Sequence, residues 1–137
     1  MHRVDVGVVG VLAVVQTLIK QGWEVFSPYS HNTRIDLIAV KGSVIKRIQV
    51  KTTTEYVNGA IPLYLKNPHP NSNYDYDNGS KEFDTFALYC MTSNTVIFIE
   101  ADEALQNSTV VMFRIEESNN NQAKNTRLAK DYELLAQ

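Results

Sequence analysis

Cysteine, glycine and proline are all scarce in this sequence. Of its 137 residues, one is cysteine, six are glycine and four are proline. The single cysteine, Cys90, forms no internal disulfide and leaves no cysteine-based zinc site, which excludes a secreted disulfide scaffold and favours a reducing compartment. Collagen-like and low-complexity chains are excluded as well, since 44% of the residues are hydrophobic and 20% are charged. The length suits one hydrophobic core, so we expect a single domain over 1–137.

A long hydrophobic run is also missing. The apolar run 6–19 carries no charge, but it has only fourteen residues and includes two glycines, a glutamine and a threonine. A bilayer-spanning helix needs about 20 apolar residues, so this run does not span a membrane. A signal peptide is disfavoured, because Asp5 interrupts the apolar stretch and no small-residue cleavage site is clear. We expect no membrane partner and a cytoplasmic location.

Excess positive charge is absent too, since the formal net charge is -2. The charges are unevenly distributed along the chain. Residues 1–81 hold nine Lys or Arg against six Asp or Glu, whereas residues 82–137 hold four against nine. This asymmetry permits a local basic surface on the first part of the chain.

Hydrophobic periodicity predicts alternating helices and strands. Residues 5–21 read as a helix that is apolar on almost every side and is therefore expected to be buried, with Gly22 as its stop signal. Strands are predicted at 23–26, 35–41, 44–51, 61–65, 83–91, 95–100 and 110–115, with a short helix at 101–106 and loops at 67–81 and 116–125. The tail 126–135 is predicted to contain one helical turn or more, with Leu128, Tyr132 and Leu135 on one face. These elements indicate an α/β domain with a mixed central sheet flanked by helices.

The strands 35–41 and 44–51 are separated by Gly42-Ser43, a pair suited to a two-residue hairpin turn. Lys41 and Val44 flank this turn and face each other, so the numbers of any two facing residues sum to 85. Asp36 is therefore opposite Gln49. One side of this hairpin is apolar and is expected to pack against the first helix. It carries Ile35, Leu37, Ala39, Ile48 and Val50. The other side brings Asp36, Gln49 and Lys51 together at the open end.

A carboxylate, a carboxamide and an ammonium group on one patch of sheet suit a magnesium site. Asp36, the Gln49 side chain and the Val50 carbonyl supply three oxygen ligands, and waters complete the shell. Lys51 can then orient an attacking water or stabilise charge on a phosphate oxygen, which implies hydrolysis of a phosphodiester. The alternative is an ordinary salt bridge of Asp36 with Arg34 or Lys51 beside a solvated glutamine.

The helix, Ile35-Asp36 and Gln49-Val50-Lys51 resemble the core motif of the PD-(D/E)XK nucleases, and within them small bacterial group I intron homing endonucleases. The resemblance implies a restriction-endonuclease-like fold and a magnesium-dependent, sequence-specific endonuclease that cuts double-stranded DNA. It assigns catalysis to Asp36, Gln49 and Lys51. The usual proline before Asp36 is missing, and Val11 stands in a helix slot that is often acidic.

Polar and basic side chains elsewhere are candidates for contact with double-stranded DNA. They are Arg34, Lys46, Arg47, Lys66, His69, Asn71, Asn73, Tyr74, Lys81, Lys124 and Arg127. DNA binding would place the protein at the nucleoid. Because one small domain covers little DNA, cutting both strands of a long site calls for at least a symmetric dimer. The resemblance implies a tetramer. Two alternatives stay open: a structure-selective nuclease such as a Holliday junction resolvase, and a DNA-binding module whose cleavage is impaired by Val11.

Overall fold

Eight strands and three helical segments make up the part of the chain that the structure describes. The computed structural model describes residues 1–65, 82–106, 109–116 and 126–137. The elements in chain order are helix α1 (Arg3–Lys20), β1 (Glu24–Phe26), β2 (Leu37–Lys41), β3 (Val44–Thr53), β4 (Ala60–Tyr64), β5 (Thr85–Cys90), β6 (Thr95–Glu100), helix α2 (Ala101–Ala104), β7 (Val110–Arg114), β8 (Thr126–Leu128) and a 3-10 helix (Ala129–Tyr132). All the strands predicted within these ranges are present.

Helix α1 has recognisable signals at both ends. The His2 side chain accepts a hydrogen bond from the Val4 amide, so it caps the N-terminus. Asp5 in the first turn and Lys20 in the last turn suit the helix dipole. The helix ends before Gly22, whose φ of +89° favours glycine.

The prediction that α1 is buried on nearly every side is wrong. Only Gly10, Val14 and Leu18 are buried, whereas Val8 and Leu12 are exposed. The reason is that the helix packs on a single face of one sheet, so about one side of the helix is covered. Apolar side chains around the rest of the helix do not by themselves bring a second layer over it.

Five strands form a mixed sheet in the order β1-β2-β3-β5-β6. The β3–β5 pair is parallel and the other neighbouring pairs are antiparallel. The predicted hairpin is confirmed, because Lys41 pairs with Val44 and Leu37 pairs with Ile48. Gly42 in the turn has a φ of +60°, a conformation that favours glycine at this position.

The two faces of this sheet carry separate apolar cores. On one face, Val14 and Leu18 of α1 pack with Leu37 and Ile48, as the hairpin pattern predicts. Ile35 was expected in this group, but it packs against the core on the opposite face. The alternation fails at Ile35 because β2 begins only at residue 37.

A second sheet covers the opposite face. It has three strands in the order β4-β7-β8, and its side chains share a core with β5 and β6. The buried members from the small sheet include Ile61, Leu63 and Phe113, and those from the large sheet include Phe86 and Leu88. The central sheet therefore lies between a helix on one side and a small sheet on the other.

The tail contains the one helical turn that the sequence predicts, but its apolar side chains do not share one face. Thr126–Leu128 forms a strand parallel to β7, and only Ala129–Tyr132 is helical, as one 3-10 turn. Tyr132 packs against the core under the small sheet, whereas Leu135 is buried in the core under α1. The pairing with β7 is a contact between segments distant in sequence, which local periodicity does not reveal. No helix in the described ranges is both long and apolar enough to cross a membrane.

Candidate active site

The candidate site lies where β3 runs past the end of β2. The β2–β3 ladder stops at the Leu37–Ile48 pair, so residues 49–53 keep β5 as their ladder neighbour. Asp36, one residue before β2, hydrogen-bonds to the backbone of β3 just beyond this ladder. Its amide donates to the Ile48 carbonyl over 2.8 Å, and its Oδ2 accepts a hydrogen bond from the Val50 amide over 2.7 Å. The carboxylate of Asp36 is thus fixed against the backbone of the next strand.

Two further oxygens belong to the same stretch of β3. Successive residues of a strand direct their backbone groups to alternate edges, so the Val50 carbonyl points to the same edge as the Val50 amide that Asp36 binds. The Oε1 atom of Gln49 is buried, and no group in the described ranges donates a hydrogen bond to it. Leaving such an acceptor unsatisfied costs about 1–3 kcal/mol. A carboxylate, a carbonyl and an unsatisfied amide oxygen are the donor types that Mg²⁺ takes in proteins.

Lys51 adds a partly buried amine that is electrostatically coupled to this carboxylate. Burial lowers the pKa of Lys51, while the negative charge of Asp36 opposes the shift and the positive charge of Arg34 adds to it. Burial likewise raises the pKa of Asp36, against the Val50 hydrogen bond and the charge of Lys51. Each group is therefore desolvated and electrostatically coupled to the other, a pattern that is common at functional sites.

Helix α1 forms one wall of an open groove of about 770 Å³ at this site. Asp36, Val50, Lys51 and Thr52 line one wall. The N-terminal half of α1 lines the other, with Arg3, Val4, Val6, Gly7, Val8, Val11 and Leu12. Val11 thus lines the same groove as Asp36, and its assignment to a slot that is often acidic stays a prediction. Among the described residues, no group of three or more His, Cys, Asp or Glu lies together.

A family model described as PD-(D/E)XK endonuclease matches residues 1–135, nearly the whole chain. The chain belongs to this family. It is therefore a nuclease of the PD-(D/E)XK type. No curated protein matches the sequence.

Solved structures of two nucleases resemble the chain. A bacterial homing endonuclease, I-Ssp6803I, matches with a TM-score of 0.71 at 16% identity, over 96% of this chain and 88% of that one. The Holliday junction resolvase of the archaeal hyperthermophile Archaeoglobus fulgidus matches with a TM-score of 0.51 at 18% identity, over 79% and 83%. At such identities the likeness shows the fold, which is restriction-endonuclease-like.

Four of the predicted DNA-contact cations are held by carboxylates of the same chain. The pairs are Arg34–Glu82 at 3.3 Å, Lys46–Glu100 at 3.3 Å, Arg47–Asp84 at 3.1 Å and Arg127–Glu103 at 2.9 Å. A neutralised cation has less charge to offer a phosphate, so these pairs reduce the positive potential expected from the composition. Their assignment to DNA stays a prediction. The remaining candidates lie outside the described residues: Lys66, His69, Asn71, Asn73, Tyr74, Lys81 and Lys124.

The sequence interpretation missed the contact that places α1 against the site. A Cβ atom on Gly10 would overlap Thr52, the residue that follows Lys51. This close approach sets the distance between the Val11 wall and the Asp36 wall of the groove. A glycine within a helical pattern is a signal of close packing and pointed to this contact.

Proposed function

We propose that this nuclease is a magnesium-dependent endonuclease that cuts both strands of DNA at a specific sequence, as a homing endonuclease does. The observation that supports this most directly is the buried Oε1 of Gln49, to which no group in the described ranges donates a hydrogen bond; Gln49 precedes Val50, whose amide binds Asp36. A buried acceptor of this kind is stabilised by a cation, whereas a purely structural sheet edge would be more stable with an apolar residue there.

Asp36, Gln49 and the Val50 carbonyl are the residues that would hold the ion. Nucleases of this family usually use divalent metal ions. When bound, Mg²⁺ polarises a phosphate oxygen and acidifies a water molecule. Asp36 supplies the only formal negative charge of this donor set, so its removal leaves two neutral oxygens that bind a hard cation weakly.

Lys51 provides the positive charge for the reacting phosphate. Its amine is desolvated next to Asp36, so its interaction with an anion is stronger than in bulk water. The Asp36 carboxylate accepts a hydrogen bond from the Val50 amide, which restrains its orientation before substrate binds. The open groove between α1 and β3 gives a phosphodiester access to both groups.

The homing-type activity is supported by the likeness to a bacterial homing endonuclease over 96% of this chain. We propose double-stranded DNA as the partner, a homo-oligomer of at least two copies as the active form, and a nucleoid location. Two cuts on opposite strands need two sites, and a two-fold axis supplies them.

The proposal is tested with a randomised duplex library, incubated with Mg²⁺ and sequenced at the new ends. We expect cleavage at one sequence, abolished by EDTA. Asp36→Ala and Lys51→Ala should each lower the rate by at least about 100-fold with DNA binding retained. Asp102→Ala and Lys130→Ala, the matched changes elsewhere, should leave the rate unchanged. Equal loss in all four variants, or no loss in the first two, contradicts the proposed site.

Two alternatives are separated by the same assay. Cleavage of four-way junctions without sequence preference favours a resolvase, the class of the second structural relative. Specific DNA binding without cleavage under Mg²⁺ or Mn²⁺ favours a binding module, because Val11 removes an acidic ligand from the groove. Calorimetric titration with Mg²⁺ is an independent measure, and Gln49→Leu should weaken the binding by about tenfold.

A further inference from the structure

The wall that α1 contributes to the groove at Asp36 is apolar and exposed. Among the described residues of this wall, Arg3 is the only one with a polar side chain. Val4, Val8 and Leu12 are 65%, 51% and 61% exposed. Phosphates alone would call for a basic wall, because contacts to phosphate are made by cationic and polar groups. An exposed apolar wall of a groove instead marks contact with an apolar part of a ligand.

Gly7 leaves a gap in the middle of this wall. Its backbone is helical, and nothing lies within 4 Å of the position of a Cβ atom at this residue. Neither backbone conformation nor packing therefore requires glycine here, in contrast to Gly10, which Thr52 approaches closely. Glycine is also unfavourable within a helix. Val4 and Val11 lie three and four residues away and border the gap, so the three residues form an indentation called here the Gly7 notch.

The charges around the Gly7 notch match a nucleic-acid strand. Of the three charged side chains that line the groove in the described part of the chain, two are positive, Arg3 on α1 and Lys51 on β3. A strand backbone alternates anionic phosphates with apolar sugars. We propose that the Gly7 notch receives a deoxyribose next to the cleaved phosphate, and that α1 thereby selects DNA over RNA. This inference rests on the proposed function, which places that phosphate at Lys51.

The selection follows from the chemistry of the sugar. A ribose carries a 2′-hydroxyl, which is both a hydrogen-bond donor and an acceptor. The side chains of the Gly7 notch have no group to pair with it, and the mid-helix backbone groups already pair with one another. Because burial of an unpaired hydroxyl is unfavourable, a ribonucleotide at this position should weaken binding by at least about tenfold.

Binding of a duplex that carries a single ribonucleotide tests the inference. The sequence is the one most enriched by binding to the wild-type chain from a randomised DNA library. Ca²⁺ replaces Mg²⁺, since it binds the same oxygen ligands without demanding octahedral geometry. The ribonucleotide is moved through the positions of the duplex in turn. Fluorescence anisotropy should show one position on each strand where binding weakens by at least about tenfold, and changes below about twofold elsewhere.

Two variants assign the effect to the Gly7 notch. Gly7→Val fills the notch and should weaken binding of the all-DNA duplex by about tenfold. Gln16→Val is the matched control, because Gln16 is an exposed residue of α1 that does not line the groove. Val4→Thr adds a hydroxyl that can pair with the ribose, so it should reduce the tenfold preference for deoxyribose to about twofold. Its control is Val57→Thr, at a 53% exposed valine outside the groove.

Circular dichroism establishes that all four variants fold. A wild-type chain that binds every ribonucleotide position alike overturns the inference, as does one that binds no duplex. Equal weakening by Gly7→Val and Gln16→Val overturns it too, and so does an unchanged preference in Val4→Thr. A chain that shows the preference and its loss in Val4→Thr, but cuts no duplex under Mg²⁺, supports the notch and contradicts the proposed cleavage.

Discussion

Helix α1 and strand β3 approach closely because residue 10 has no side chain. A Cβ atom at Gly10 would overlap Thr52 Oγ1 and lie 2.9 Å from Thr52 Cβ. Rotation of the Thr52 side chain moves Oγ1 but not Cβ, since Cβ is attached directly to the backbone. The substitution Gly10→Ala therefore forces the helix or the strand to move.

The expected cost of Gly10→Ala follows from two opposing terms. Overpacking a tight contact costs about 1–3 kcal/mol, and replacing glycine by alanine within a helix gains about 1 kcal/mol. We expect a net loss of up to about 2 kcal/mol in the free energy of unfolding. Gly7 provides the control on the same helix, because nothing lies within 4 Å of a Cβ atom there. Gly7→Ala should gain about 0.5–1 kcal/mol.

Urea unfolding followed by circular dichroism measures both changes. The double variant Gly10→Ala/Thr52→Ala should recover part of the loss, since Oγ1 and Cγ2 are then absent, although Thr52 Cβ remains close. Equal signs for Gly7→Ala and Gly10→Ala would refute the close packing of α1 on β3. The close packing would also be refuted if the stability loss of the double variant equalled the sum of the losses of Gly10→Ala and Thr52→Ala.

Two further predictions concern the groove and a surface ion pair. Val11→Glu should tighten Mg²⁺ binding and speed cleavage, each by about tenfold, because it adds a carboxylate to the groove that Asp36 lines. If the variant folds but shows no gain in calorimetry or cleavage, this helix position is not part of the metal site. Asp84→Asn should lower the free energy of unfolding at pH 7 by about 1 kcal/mol, a value reduced for the 34% exposure of Asp84. Hydrogen bonds from the Arg47 side chain hold the pKa of Asp84 below its usual value. The stabilisation is therefore present above pH of about 4 and is lost as pH falls through the lower folded-state pKa. Unfolding measured between pH 2 and 7 should show less acid sensitivity in Asp84→Asn, and an identical pH profile contradicts the role of the pair.

The elements around the candidate site could be predicted because they are local in sequence. Gly42 at the turn and the alternating residues of the flanking strands determine which residues face each other, and the Leu37–Ile48 pair follows that register. Asp36 and Val50 are fourteen residues apart and belong to one hairpin, so the contact between them needs no knowledge of the rest of the fold. Lys51 lies in the same strand as Val50, where it is partly buried and electrostatically coupled to Asp36, and its catalytic role stays a prediction.

Features that depend on distant segments were not predictable in this way. Which side of α1 is covered depends on the sheet face that it meets, so the exposure of Leu12 could not be read from periodicity. The strand Thr126–Leu128 exists through its pairing with β7. The Arg47–Asp84 pair joins residues 37 positions apart, so composition alone counted Arg47 as an available cation.

The bond from the Val50 amide to the Asp36 carboxylate gives the molecule an internal reporter. Most amides of a central strand are held by a neighbouring carbonyl, and their hydrogens exchange with solvent slowly and together. The Val50 amide is held by a side chain, so its exchange and its nitrogen chemical shift follow the state of one carboxylate. A single resonance in a heteronuclear spectrum would thus record occupation of the site without any substrate.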